Sequence, residues 1–216
     1  AELVRHAAKY FANILTPFSQ LIQKLLADVK QLGIHIDVIA PDHGLIWRAD
    51  PGGILSLYDS WSRQEAIPKA VIIYDTMWHS TEKMAYAVAD GLLHHNVSVK
   101  MMNLKHTHRS DIITEILDAK AIIFGSSTLN NGMLPRMADL LAYMKGLRPA
   151  NKFGAAFGSF GWPGAAAKLI TATLEEVKFQ VVDQPLRVKY VPAAADIEQC
   201  CALGAKVGLE IKNGHG

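Results

Sequence analysis

The stretch "YDTMWHSTEKMA", residues 74–85, sets three hydroxyls, Thr76, Ser80 and Thr81, between the apolar run "AVII" and a segment with helical patterning. A strand end feeding a helix N-terminus leaves backbone N–H groups unpaired and presents the positive end of the helix dipole. Hydroxyls added there make a phosphate cradle that requires no lysine. Ser80 or Thr81 would serve equally well as an ordinary helix cap, so the stretch taken alone leaves both readings open. Trp78 weighs toward a ligand, because a tryptophan in such a loop is costly to leave in water.

Two further loops carry comparable chemistry. "GSSTLNNGMLP", residues 125–135, is rich in hydroxyl, amide and glycine, and Asn130, Asn131 and Gly132 tolerate left-handed backbone. Such a loop can present main-chain donors and acceptors edgewise to a flat ring, although a plain turn before a proline-started helix explains it by itself. "FGSFGWPGAA", residues 157–166, pairs Phe160 and Trp162 with closely spaced glycines, which let backbone approach a ligand while an aromatic face stacks on it. Neither G-x-G-x-x-G after the first strand nor G-x-x-x-x-G-K-[ST] is present. A mononucleotide carrying a flat ring therefore suits these loops better than NAD or ATP.

The elements that must position the loops begin near Ala70. Short β-rich runs, "AVIIY", "VSVKMMN", "AIIFG", "KFGAAFG" and "FQVVD", alternate with helical patterns through to a last helix near Asp196 to Lys212. This alternation predicts an α/β fold with a parallel sheet covered on both faces. In such a doubly wound sheet, ligands sit outside the carboxyl ends of the strands, and all three loops leave such ends. Before Ala70 the sequence predicts an opening helix, a second helix "SQLIQKLLADVKQL" stopped by Gly33, one strand "IHIDVIA" and a third helix around Ile54 to Ala66. "AIPKA", residues 66–70, is the expected joint, since Pro68 disfavours helix for the residue before it.

The chain has 216 residues, half of them hydrophobic, and a net charge of +2 with both signs interspersed. It is long enough to bury a sizeable core. No basic stripe marks a nucleic-acid partner, and no apolar run reaches the length of a membrane span. The only cysteines, Cys200 and Cys201, are adjacent in a helical pattern and read as structural. A reducing, cytoplasmic setting is expected.

"TMWHSTEKMA", "GSSTLNNGMLP", "AFGSFGWPGAA" and "GLRPANK" together resemble the flavodiiron protein family, and the resemblance runs the whole length of the chain. It implies a flavodoxin-like domain over residues 70–216, a doubly wound five-stranded parallel sheet of order 2-1-3-4-5. Residues 1–69, with "KYFANILTPFSQLI" and "APDHGLIWR", resemble the closing portion of that family's metallo-β-lactamase-like domain. The implied cofactor is flavin mononucleotide (FMN), with Thr76, Met77, Trp78, His79, Ser80 and Thr81 as the phosphate loop. Ser126, Ser127, Thr128, Asn130, Asn131 and Gly132 would flank the ring on one side, and Ser159, Phe160, Gly161, Trp162 and Gly164 on the other. Ordinary flavodoxins carry a motif resembling T-x-T-x-x-T, whose middle hydroxyl is here Trp78.

The family reduces oxygen or nitric oxide at a di-iron site fed from a rubredoxin-like donor through the flavin, in a head-to-tail dimer. His43 in "PDHGLIW" matches the last histidine ligand, but the H-x-E-x-D-H motif is missing, and one histidine cannot hold two irons. The expectation is an FMN-binding electron-transfer module of an oxidoreductase. It would pair as a head-to-tail homodimer or with the missing N-terminal part. His106 and His108 read as solvated, and His94 and His95 as a helix end. A different class of function, a signalling or interaction module without flavin, needs clustered acids after the first strand and an aspartate ending the third. Asp75 stands alone, and "FGSST" supplies none.

Overall fold

The computed structural model describes residues 2–214. The chain opens with α1 (Glu2–Tyr10), which continues through a π-helical turn, Phe11–Leu15, and a 3₁₀ turn, Thr16–Phe18, into α2 (Ser19–Gln31). Pro17, which has no N–H to give to an α ladder, sits where the helix tightens. Thr16 Oγ1 donates to Ala12 O at 3.1 Å across that irregularity. After α3 (Pro51–Ser62) come β1 (Ile67–Asp75), α4 (Ser80–Leu93), β2 (Ser98–Asn103), α5 (Arg109–Leu117) and β3 (Ala119–Ser126). The short strands β4 (Thr128–Leu129) and β5 (Gly132–Met133) follow, then α6 (Pro135–Leu147), β6 (Phe153–Phe160), α7 (Ala165–Glu176), β7 (Gln180–Val181), β8 (Leu186–Lys189) and α8 (Ala194–Asn213).

The main sheet is parallel, in the order β2-β1-β3-β6, and both β7 and β8 pair with β6. This is the expected 2-1-3-4-5 arrangement with its last position divided. β7 pairs at Phe153 and Gly154, and β8 pairs at Phe157 to Phe160. "FQVVD" contains only the first half. Pro185 cannot donate to a ladder, and Asp183 draws the Gln184 N–H to its own carboxylate at 2.7 Å, so the chain bends away before "LRVK" rejoins.

Alternation along the strands fills both faces. Val71, Ile73, Ile122, Phe124 and Ala156 pack toward α5, α6 and α7, while Ala70, Ile72, Ala121, Ile123, Ala155 and Phe157 pack toward α4 and α8. A strand buried on both faces shows no polar alternation, which is why "AVII" and "AIIF" read as continuous apolar runs.

Three details before Ala70 differ from the sequence expectation. Residues 34–40 form no strand; only Ile39 and Trp47 bridge, because an alternating segment without a partner has no ladder to join. The third helix starts at Pro51 and ends at Ser62, with Asp50 accepting the Gly53 N–H at 2.7 Å as its cap. The joint at Pro68 lies inside β1, at a register shift between Ile67 and Ala70. Residues before the joint share the sheet's core: Phe11 is fully buried beside Tyr58 and Trp61 in the cluster that holds Val71 and Ile73. Lys9 pairs with Asp111 at 2.6 Å, and Asn13 links Ser110 to Tyr143.

His108 is exposed, as expected, and also caps α5, its Nδ1 accepting the Ser110 N–H at 3.2 Å. His94 is the C-cap of α4. Cys200 is buried in α8, and burial pushes its thiol up to about 12, which makes it inert.

At the opposite end of the sheet from the three loops, Lys152 is buried and donates to Leu117 O at 3.0 Å and Ala119 O at 2.6 Å. Burial lowers its pKa to about 7, with Lys120 and Lys69 adding to the effect and Asp118 opposing it. The folded state thus binds fewer protons than the unfolded state, whose lysine titrates near 10.4. The cost of this burial is fully present below pH 7 and shrinks as pH rises toward 10. Lys152→Met is therefore expected to flatten the rise of stability between pH 7 and 8.5. Denaturant midpoints of both proteins across that window check it; an unchanged difference between them would contradict it.

Candidate functional site

The carboxyl ends of β1, β3 and β6 lie side by side in the sheet, and the loops after them converge there. Their contact is a buried knot of hydroxyls. Thr81 Oγ1, fully buried on the first turn of α4, lies 2.9 Å from Ser127 Oγ and 2.9 Å from Ser159 Oγ. The two serines are 3.3 Å apart. One residue from each loop is thus locked to the other two, and the Thr81 hydroxyl faces inward. Ser126 accepts the Leu134 N–H at 3.0 Å and donates to Ser127 O, closing the second loop on itself. Thr128 Oγ1 accepts the Ala166 N–H at 3.2 Å, which joins that loop to the start of α7.

In the first loop, Asp75 is buried and accepts the Thr76 N–H at 2.9 Å. Thr76 is also buried, and among the described residues its Oγ1 is the one enclosed side-chain polar atom with no hydrogen-bond partner. An enclosed hydroxyl with nothing to bond is unfavourable and points to a missing partner. Met77 and Trp78 are exposed, Trp78 to 86 %. His79 precedes α4 in left-handed backbone, φ 65°, and Ser80 begins the helix. His79 makes no side-chain cap bond, so the first N–H groups of α4 stay available.

In the second loop, Asn130 and Asn131 take φ of 48° and 59° and turn β4 into β5, the left-handed pair a two-residue hairpin requires. Gly132 does not share that conformation and pairs with Leu129 in the hairpin. In the third loop, Phe160 and Gly161 are half-buried and Trp162 is 89 % exposed. Gly164, at φ 58°, lies under the Phe160 ring, where a Cβ would come within 3.0 Å of it. Two almost bare tryptophans thus stand on loops either side of the β3 end.

Sequence reasoning missed three neighbours. Glu82 Oε1 accepts from the Tyr74 hydroxyl at 2.9 Å, and its Oε2 lies 2.7 Å from His79 Nδ1. The His79 contact, seconded by Tyr74, lowers the Glu82 pKa, while burial and then Glu82 push Tyr74 up to about 12. Glu82 carries only the ordinary signal of an acid in the first turn of a helix. Tyr190, whose N–H donates to Phe160 O at 2.8 Å, lies against Gly161 and has no such signal.

His43 lies apart, in an exposed loop with its ring 5.4 Å from that of Tyr10. It borders a cavity of about 670 Å³ lined mainly by apolar residues such as Ile39, Trp47 and Ile54. No three His, Cys, Asp or Glu side chains converge on a metal position among the described residues. This donor set does not fit a di-iron centre.

A model of the flavodoxin family matches residues 72–204. The chain belongs to the flavodoxin family. The chain is 46 % identical to the nitric oxide reductase of Moorella thermoacetica over 210 residues, which are 97 % of this chain and 53 % of that protein. Among solved structures, the rubredoxin oxygen:oxidoreductase of Desulfovibrio gigas matches with TM-score 0.94 and 41 % identity, covering 97 % of this chain and 53 % of that one. The flavodiiron protein of Giardia intestinalis matches with TM-score 0.90 and 31 % identity, covering 95 % and 51 %. The chain spans about half the length of these relatives and corresponds to the C-terminal part of a flavodiiron protein. No helix among the described residues is long and apolar enough to cross a membrane.

Proposed function

We propose that this flavodoxin domain binds FMN and acts as the electron-transfer module of a flavodiiron oxygen or nitric oxide reductase. The observation that carries the reading is the enclosed, unpartnered Thr76 hydroxyl at a strand-to-helix junction flanked by exposed tryptophans. Phosphate is the partner such a hydroxyl lacks, and a flat ring is what bare indoles suit. Thr76, Met77, Trp78, His79, Ser80 and Thr81 form the phosphate loop. Within it Thr76 and the N–H groups at the start of α4 meet the phosphate, and Thr81 fixes the loop to its neighbours. Ser126, Ser127, Thr128, Asn130, Asn131 and Gly132 line one flank of the ring, and Ser159, Phe160, Gly161, Trp162 and Gly164 the other. Bound FMN supplies the redox chemistry, and the protein supplies position and environment.

Electrons come from a rubredoxin-like donor and pass to a di-iron site that the described residues do not form. His43 is one ligand of that site, and residues 1–69 are the end of the metallo-β-lactamase-like domain that carries the others. A head-to-tail homodimer, or association with that N-terminal part, brings the flavin to the irons in the cytoplasm. The purified chain is expected to be yellow, with one FMN and no stoichiometric iron, by absorbance and metal analysis of the same sample. A chain that stays colourless after reconstitution with FMN, or that holds two irons, would overturn the reading.

A further inference from the structure

We propose that Glu82 is the positioning residue of the first loop: its carboxylate staples Tyr74 to His79 and holds the loop in the shape that receives a phosphate monoester. The inference rests on the FMN reading above. Both carboxylate oxygens are engaged on opposite sides of the loop. Oε1 takes the hydroxyl of Tyr74, which is buried near the end of β1, and Oε2 takes the ring of His79 immediately before α4. Residues 75–78, with the unpartnered Thr76 hydroxyl among them, therefore lie between two anchors joined by one side chain.

The staple answers a specific structural need. His79 holds a left-handed conformation, φ 65° and ψ 0°, that non-glycine residues adopt uncommonly. Such a backbone is favoured where a contact holds it, and His79 Nδ1 lies 2.7 Å from Glu82 Oε2. A carboxylate at the start of a helix suits the dipole but would repel a phosphate in the same place. The His79 ring, the Tyr74 hydroxyl and the nearby charge of Lys105 all favour the ionised form of Glu82, so its charge is already answered. Because the His79 end is largely exposed, the pair adds little to global stability. Its effect falls on the geometry of the loop.

The test compares dissociation constants for FMN and for riboflavin, which has the same ring and no phosphate. Glu82→Ala is expected to weaken FMN binding about tenfold or more and to leave riboflavin within about twofold. Glu82→Gln keeps an acceptor for Tyr74 and turns its amide N–H₂ to His79 Nδ1, which accepts in the neutral tautomer with its proton on Nε2, so it should restore FMN affinity to within about threefold of the parent. Tyr74→Phe, which removes one anchor and keeps the buried ring, should fall between them. Thermal unfolding should stay near the parent value in all three. Unchanged FMN affinity in Glu82→Ala, equal loss for both ligands, or failure of Glu82→Gln to restore binding would each overturn the staple. A parent chain that binds neither ligand would instead overturn the flavin reading itself.

Discussion

Trp162→Ala is expected to weaken FMN binding by about fivefold or more while leaving thermal unfolding within about two degrees of the parent. The indole is 89 % exposed, so it packs nothing that stabilises the fold. A ring stacked on an aromatic side chain is worth about 1–3 kcal/mol, which corresponds to roughly five- to 150-fold in affinity. Loss of affinity and preserved stability must occur together. A titration and a melting curve on the same preparation check both, and binding equal to the parent's would mean that Trp162 does not touch the ring.

Gly158→Ala is expected to have the reverse emphasis, losing about 2–3 kcal/mol of stability. A Cβ at this position would lie 2.2 Å from the carbonyl oxygen of Ser126 on the neighbouring strand. That atom is backbone and cannot swing aside, so β3 and β6 must separate at the point where both enter the site. The same shift would pull Ser127 and Ser159 apart and disturb the Thr81 knot. Urea unfolding measures the loss, and a midpoint equal to the parent's would contradict so close an approach of the two strands.

Much of this architecture was legible in the sequence because the governing signals are local. "AVII" and "AIIF" are buried on both faces and read as unbroken apolar runs, and the helices between them keep spacings of three and four. "LRVK" was not legible as a strand. Its pairing depends on the far end of β6, and four residues after a proline carry little signal of their own. "IHIDVIA" failed in the opposite sense, having strand composition but no strand beside it.

At the site, the residue types identified the three loops, while the division of labour among their hydroxyls came only from packing. The Thr76 and Thr81 hydroxyls look equivalent in "TMWHST", yet that of Thr81 bonds two serines more than forty residues away and that of Thr76 has no partner. Long-range hydroxyl contacts leave no spacing rule in a sequence. The role of Glu82 was hidden for a related reason. An acid early in a helix is ordinarily explained by the dipole, and only the distances to Tyr74 and His79 show a second use.

We propose that the three loops form a site for one flavin mononucleotide. Titration of the flavin-free chain with FMN, followed by quenching of flavin and tryptophan fluorescence, tests it most directly. One FMN per chain is expected, with tryptophan emission falling in step with occupancy as Trp78 and Trp162 meet the ring. No saturable binding, or binding that leaves tryptophan emission untouched, would contradict the account.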